Sequence, residues 1–233
     1  VSGLSPAEWE VLLLSLKVSA VAIAAALPLA FGLAWMLARW RFPGKVVLDA
    51  VVHLPLVLPP VVTGWLLLLT FGTNAPMGRF FAETIGLTFL FRWTGAALAA
   101  AVMALPLMVR AMRLSLEAVD RRLESAARTL GAGPWRTFLT ITLPLALPGI
   151  LAALVLGLAR SVGEFGATIT FASNIPGETQ TLPLAIYSAL QLPGSELQVA
   201  RLAALSVLLS VGALVLSEWL ARRSGHGKGR HVL

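Results

Sequence analysis

Residues 114–144 read LSLEAVDRRLESAARTLGAGPWRTFLTITLP. The stretch is too polar to cross a membrane and too regularly patterned to be disordered. Leu116, Val119, Leu123, Ala126, Ala127 and Leu130 recur at steps of three or four, the period of an amphipathic helix. Gly131 and Gly133 end that helix, because glycine accepts the left-handed conformation of a C-cap. Pro134 suits the first turn of a second short helix through Trp135, Arg136 and Phe138. The expectation is a helix–turn–helix elbow, rigid enough to receive a push and joined to an apolar segment at each end.

Working outward, the rest of the chain is strongly apolar. Of its 233 residues 58% are hydrophobic and only 12% charged, with a mean hydropathy of +0.84. Soluble domains carry about 25% charged residues, so most of this surface is expected to face lipid. A membrane-spanning helix needs about 20 apolar residues, and five segments supply them: 11–38, 46–72, 93–113, 145–170 and 200–221. The segment Leu182–Leu192 is apolar but short and bounded by prolines, which reads as re-entrant or interfacial. Pro55, Pro59 and Pro60 fall inside the second span and kink it by removing backbone donors. Lipid tolerates freed carbonyls only where they face protein or a water-filled cavity, so the kink marks either a transport pathway or a bend made for packing. All 233 residues read as one transmembrane domain that includes the 114–144 loop.

The basic residues orient it. Thirteen of the 18 Lys and Arg lie on one side, at 39–45, at 110–136 and from Arg222 onward. By the excess of Lys and Arg in cytoplasmic loops, that side is the cytoplasm, the N-terminus is outside and the C-terminus inside. The tail from Arg222 to Leu233 is expected to fray at the membrane surface. Glu8 and Glu10 stand where a cleavable signal would carry Lys or Arg, so the first apolar run is expected to stay as a span.

Several functions are excluded. A net charge of +7 does not mark a nucleic-acid binder, because the cations sit between apolar runs rather than on a soluble face. With no cysteine there is no disulfide, thiolate metal site or thiol nucleophile. His53 has neither a second histidine nor a carboxylate at ligand spacing, so it reads as a packed or hydrogen-bonded side chain, and no metal or other cofactor is expected. No Ser–His pairing suggests a hydrolase, and no G-x-x-x-x-G-K-[ST] is present to hold ATP. The expectation is a chain that is not an enzyme and, if it moves cargo at the expense of ATP, borrows that energy from a partner. Of Trp9, Trp40, Trp65, Trp93 and Trp219, most fall near span ends, as interfacial tryptophans do.

The loop resembles the EAA motif of ABC-importer permeases: E-A-A, three residues, Gly, nine residues, Ile-x-Leu-Pro. Ala126 and Ala127 precede Gly131 at that spacing, and Ile141, Leu143 and Pro144 close it. Ser125 occupies the acidic position, with Glu124 one residue earlier and about 100° around the helix. The resemblance implies a type I ABC-importer permease fold, all-α and membrane-embedded, whose coupling helix docks in a cleft of a cytoplasmic ATPase. Glu124, Ser125, Ala126, Ala127, Arg128, Leu130, Gly131 and Pro134 would carry that docking. It further implies a homodimer in the cytoplasmic (inner) membrane, with two ABC ATPase subunits below, a periplasmic or surface oxyanion-binding protein above, and lipid around it.

A second stretch, Ala159–Leu184, reads ARSVGEFGATITFASNIPGETQTLPL. With the terminal SEWLARR at Ser217–Arg223, it resembles molybdate permeases closely and sulfate permeases more loosely. The function implied is ATP-driven uptake of molybdate or the isosteric tungstate. A sulfate permease stands as the alternative within the class, and an ATP-independent carrier or channel as the alternative outside it. Physically, Arg160 and Glu164 are charges in an apolar span, four residues apart, so a helix would place them on one face within reach of each other. They form either a structural ion pair or a pathway-facing pair, with Arg160 attracting an oxyanion and Glu164 near the gate; intramembrane charges usually face an interior cavity. Gly163 and Gly166 allow close helix approach or a hinge. Thr168, Thr170 and Ser173 offer hydroxyls to a passing oxyanion, or donate them back to their own helix.

Overall fold

The computed structural model describes residues 4–225, and among them every regular element is a helix. Helix α1 (Pro6–Arg39) opens on a capping box. The Glu8 amide donates to Ser5 Oγ at 3.2 Å and the Ser5 amide to Glu8 Oε2 at 2.7 Å, satisfying two of the amides a helix start leaves open. Its 34 residues extend about 50 Å, well beyond a bilayer core. Next come α2 (Lys45–Val57), α3 (Pro60–Phe71), α4 (Pro76–Ile85) and α5 (Trp93–Ala118). The elbow follows with α6 (Arg121–Thr129) and α7 (Pro134–Thr137), the latter running through a π-turn at Phe138–Thr142 into α8 (Leu143–Val162). The chain closes with α9 (Gly166–Phe171), α10 (Leu182–Leu190) and α11 (Glu196–Gly225).

Helices α1, α5 and α8 form the core. Ala22, Ala26, Ala30 and Ala34 make one buried stripe along α1, matched on α5 by Ala96, Ala97, Ala100 and Ala104. Small side chains let helix backbones approach closely, which is how packing is achieved where lipid removes the hydrophobic drive. Gly157 of α8 completes the contact: a Cβ there would meet Ile23 Cδ1 and Met108 Sδ at 2.9 Å.

Among the described residues, three helices are long and apolar enough to cross a membrane: Pro6–Arg39, Trp93–Ala118 and the continuous Pro134–Val162. A fourth crossing counts if α2 and α3 are one span. The expected fifth, 200–221, lies within α11, whose side chains at 213–214 and 216–225 lie outside the described residues, as do those of the SEWLARR stretch and all of the tail from 226.

The second span is not a kinked helix but two helices bent by 116°. Leu58 and Pro59 each precede a proline, which drives the preceding residue out of the α region. Both are extended, Leu58 at ψ 143° and Pro59 at ψ 134°, and two such residues in succession turn the chain. The fourth span also differs from 145–170. It starts at Pro134 and stops at Val162, where Gly163 caps it, and Gly166 begins a separate short helix. Helix α10 is nine residues, too short to cross. Leu182 and Leu184 are fully buried, and the Leu182 amide donates to Ser15 Oγ of α1 at 2.7 Å.

Candidate functional site: the elbow and the helix break

The amphipathic run of the elbow is divided between two helices. Helix α5 continues to Ala118, Val119 is extended, and Asp120 caps α6 by accepting from the Arg122 amide at 2.8 Å. Leu116 and Val119 therefore belong to the buried core, at 1% and 6% exposure, whereas Leu123 and Leu130 are 46% and 88% exposed. No residue of α6 is buried. Among the described residues, little covers the half of the apolar stripe left on α6.

Gly131 ends α6 as its position requires. Its φ is +87°, its amide donates to Arg128 O at 3.0 Å, and the Ala132 amide reaches Ala127 O at 3.0 Å. This is the paired closure of a Schellman cap. The second elbow helix is not separate. Helix α7 starts at Pro134 and leads through the π-turn into α8, so that one continuous helix of 29 residues runs from Pro134 to Val162. Pro144 accounts for the turn. Its ring would collide with the carbonyl four residues back and it has no amide to donate, so the chain widens, with the Leu143 amide reaching back to Phe138 O.

Glu124 ties the elbow together. Its carboxylate accepts from Arg39 Nη2 at 2.8 Å and Nη1 at 3.2 Å, and from Thr142 Oγ1 at 2.7 Å. Arg39 ends α1 and Thr142 ends the π-turn, so one side chain of α6 holds two long helices. The Arg39 guanidinium also lies 5.5 Å from the Trp35 ring centroid. Neither Arg39 nor Thr142 carries a local signal of this role; the contact spans 85 residues of sequence. Ser125, at the motif's acidic position, donates to Arg121 O of its own helix at 3.1 Å. Ala126, Ala127 and Arg128 complete α6, and Leu130 is its C-cap.

At the other end of α8, Arg160 lies in the last turn and Glu164 just beyond the Gly163 cap. They pair across the break rather than along a continuous helix, Nη1 to Oε2 at 2.6 Å. Glu164 is 3% exposed, while the Arg160 side chain is 25% exposed. The second carboxylate oxygen accepts from the Ala167 amide at 2.8 Å, so Glu164 both neutralises Arg160 and caps α9. Gly166 makes a close approach: a Cβ there would lie 2.7 Å from Pro60 Cβ. A Cβ on Gly64 of α3 would likewise meet Ala167 O at 2.7 Å. Gly163 has no such neighbour. Thr168 is buried, and Thr170 donates back to Gly166 O at 2.8 Å.

His53 corrects the sequence reading in one respect. Asp49, one turn earlier, is a carboxylate at ligand spacing, and His53 Nδ1 lies 2.8 Å from Asp49 O and 3.2 Å from Asp49 Oδ1. Arg113 joins Asp49 at 3.0 Å and Glu117 at 2.8 Å. The histidine is hydrogen-bonded as expected, and no group of three or more potential metal ligands occurs among the described residues.

A family model described as "Binding-protein-dependent transport system inner membrane component" matches residues 14–226. The chain belongs to this permease family. The permease is 58% identical to the molybdenum transport system permease protein ModB of Escherichia coli (strain K12), over 97% of this chain and 99% of the relative. It is 37% identical to the sulfate transport system permease protein CysW of Synechocystis sp., over 92% of this chain and 78% of the relative. Among solved structures, the permease superposes on a bacterial alginate ABC transporter in complex with a substrate-bound periplasmic protein. The TM-score is 0.68 at 19% identity, covering 98% of this chain and 82% of that one. The fold is that of an ABC-importer permease, a multi-pass membrane subunit.

Proposed function

We propose that this permease is the membrane subunit of an ATP-driven importer of molybdate, with tungstate as an isosteric cargo. It works as a homodimer with the pathway at the two-fold interface. Two ABC ATPase subunits sit on the cytoplasmic face and an oxyanion-binding protein delivers cargo on the outer face. The protein lies in the cytoplasmic membrane with the N-terminus outside and the C-terminus inside, as the distribution of Lys and Arg favours. ATP hydrolysis is the partners' chemistry; the permease converts their closure into motion.

The observation that carries this reading is the elbow, a helix with no buried residue whose Glu124 reaches the end of α1 and the π-turn that leads into α8 together. ATPase closure pushes α6, and Arg39 and Thr142 pass the push to both helices. Helix α8 then delivers it to Arg160 and Glu164, about 27 Å away along the axis, where α8 gives way to α9. There Arg160 attracts the oxyanion, while Glu164 with Gly163, Gly166 and Thr168 forms the gate that opens when α9 moves. Molybdate is favoured over sulfate by the higher identity and fuller coverage of the molybdenum permease.

The test is uptake of labelled molybdate into liposomes holding the permease, its ATPase and its binding protein, with sulfate as competitor. Uptake that requires all three and resists excess sulfate is the expected result. Abolition by sulfate would change the cargo, and uptake without ATP would replace the importer by a carrier.

A further inference from the structure

Two cavities meet at the cytoplasmic end of α1. One, about 420 Å³, is lined by Arg39, Arg121 and Arg128 with Glu124 as the carboxylate among them. Glu124 is already satisfied by Arg39 and Thr142, so the cavity keeps an excess of two guanidinium charges. Arg39 adds a donor: its Nε is buried and has no hydrogen-bond partner among the described residues, a costly state unless an acceptor arrives. The second cavity, about 490 Å³, is an apolar groove between α1 and α7, formed by Phe31, Gly32, Trp35, Met36, Trp135 and Phe138. Trp35, Trp40, Pro134 and Phe138 line both, so the basic cavity opens directly into the greasy one.

From Phe31 to Trp40 the groove runs about 14 Å along α1, close to the half-thickness of a roughly 30 Å bilayer core. Gly32 keeps it open, since a Cβ there would meet nothing within 4 Å. Trp40 and Trp135, 56% and 76% exposed, stand where amphipathic rings favour the headgroup level. An anionic head with an acyl tail of one leaflet's depth matches this pair of cavities in both charge and length. We infer that they form a binding site for one anionic phospholipid of the cytoplasmic leaflet, its phosphate on Arg39 and Arg121 and one acyl chain in the Gly32 groove. The inference rests on the orientation proposed above. It places a lipid against both α1 and the elbow, so the lipid would brace the joint that Glu124 makes.

The test is native mass spectrometry of the assembled permease–ATPase complex, titrated with phosphatidylglycerol or phosphatidylcholine, alongside molybdate uptake in vesicles of the same lipids. Phosphatidylglycerol is expected to be retained and phosphatidylcholine lost. Gly32→Leu fills the groove while favouring the helix, and it should lower retention more than about tenfold, since several methylenes of the acyl chain lose their seat. Arg121→Gln should lower it about fivefold, the attraction of one basic group for an anionic surface. Excess inorganic phosphate should displace nothing if the tail matters, and full displacement would reduce the site to an anion pocket. Equal retention by wild type and Gly32→Leu would overturn the site, as would a groove closed by a second permease copy or by the ATPase in a cross-linking map. Either result leaves uptake by the wild type, and hence the importer reading, separately measured.

Discussion

Glu124 grips Arg39 through both carboxylate oxygens, at 2.8 and 3.2 Å, although 85 residues separate them. The side chains are 9% and 16% exposed for Arg39 and Glu124, so water can replace neither partner well. Glu124→Ala leaves a buried guanidinium unpaired and frees α6 from α1 and from Thr142. Removing one member of a buried pair costs about 3 kcal/mol, and the purified complex should melt correspondingly earlier. ATP hydrolysis should persist while uptake falls. A variant with unchanged melting and unchanged uptake would leave the tie without a role.

Gly131→Asp tests the coupling without disturbing the interior. Nothing lies within 4 Å of a Cβ at this position, so the only internal penalty is the left-handed backbone at φ +87°, about 1 kcal/mol for an ordinary residue. The protein should insert and assemble at wild-type abundance while ATP hydrolysis uncouples from transport. Gly131→Asn, which accepts this conformation readily and adds no charge, should retain more uptake than the aspartate. Normal uptake by Gly131→Asp would remove the elbow from the mechanism.

The elbow's punctuation was legible because it is local. Gly131 and Pro134 act through their own backbone preferences, and each does what its chemistry requires. The break at Val119–Asp120 was hidden because Leu116 and Val119 keep the same period as Leu123 and Ala126. Asp120, a preferred N-cap residue, was the available signal. The prolines at 59 and 60 announced a disturbance, but a bend of 116° depends on two consecutive pre-proline residues together with the seat of α3 on α9. The alanine stripe of α1 offered no contrast inside an apolar run. Arg39 and Thr142 were beyond reach, because a long-range pair leaves no trace in spacing. Asp49, four residues before His53, was within reach.

The seat of α3 on α9 should be intolerant of any side chain. A Cβ at Gly64 would meet Ala167 O at 2.7 Å and Thr170 Cβ at 2.8 Å, and neither backbone nor a β-branched side chain can step aside. Gly64→Ala should destabilise the permease by about 1–3 kcal/mol, the usual penalty of overpacking. Gly163→Ala, with only Ala159 O at 3.7 Å, should be close to neutral on the same scale. Equal thermal unfolding of the two variants would mean that α9 is free to shift, and the close approach would lose its significance.

Arg160 and Glu164 separate structure from transport. Arg160→Ala strands a carboxylate that is 3% exposed, so it should both lower stability and impair uptake without preventing assembly. Glu164→Gln keeps an acceptor for the Ala167 amide while removing the charge. The double variant Arg160→Ala/Glu164→Gln therefore contains no unpaired charge, and its thermal unfolding should return most of the way to wild type. If the pair were only structural, uptake would return with it. If Arg160 attracts the oxyanion, uptake should stay at least tenfold down, about 1.4 kcal/mol in a rate or an affinity, in a protein that is otherwise intact. Uptake measured at low and high molybdate assigns the loss. A defect cured by excess molybdate places Arg160 at a binding step, whereas one that persists at saturation places the Arg160–Glu164 pair at the opening of the gate.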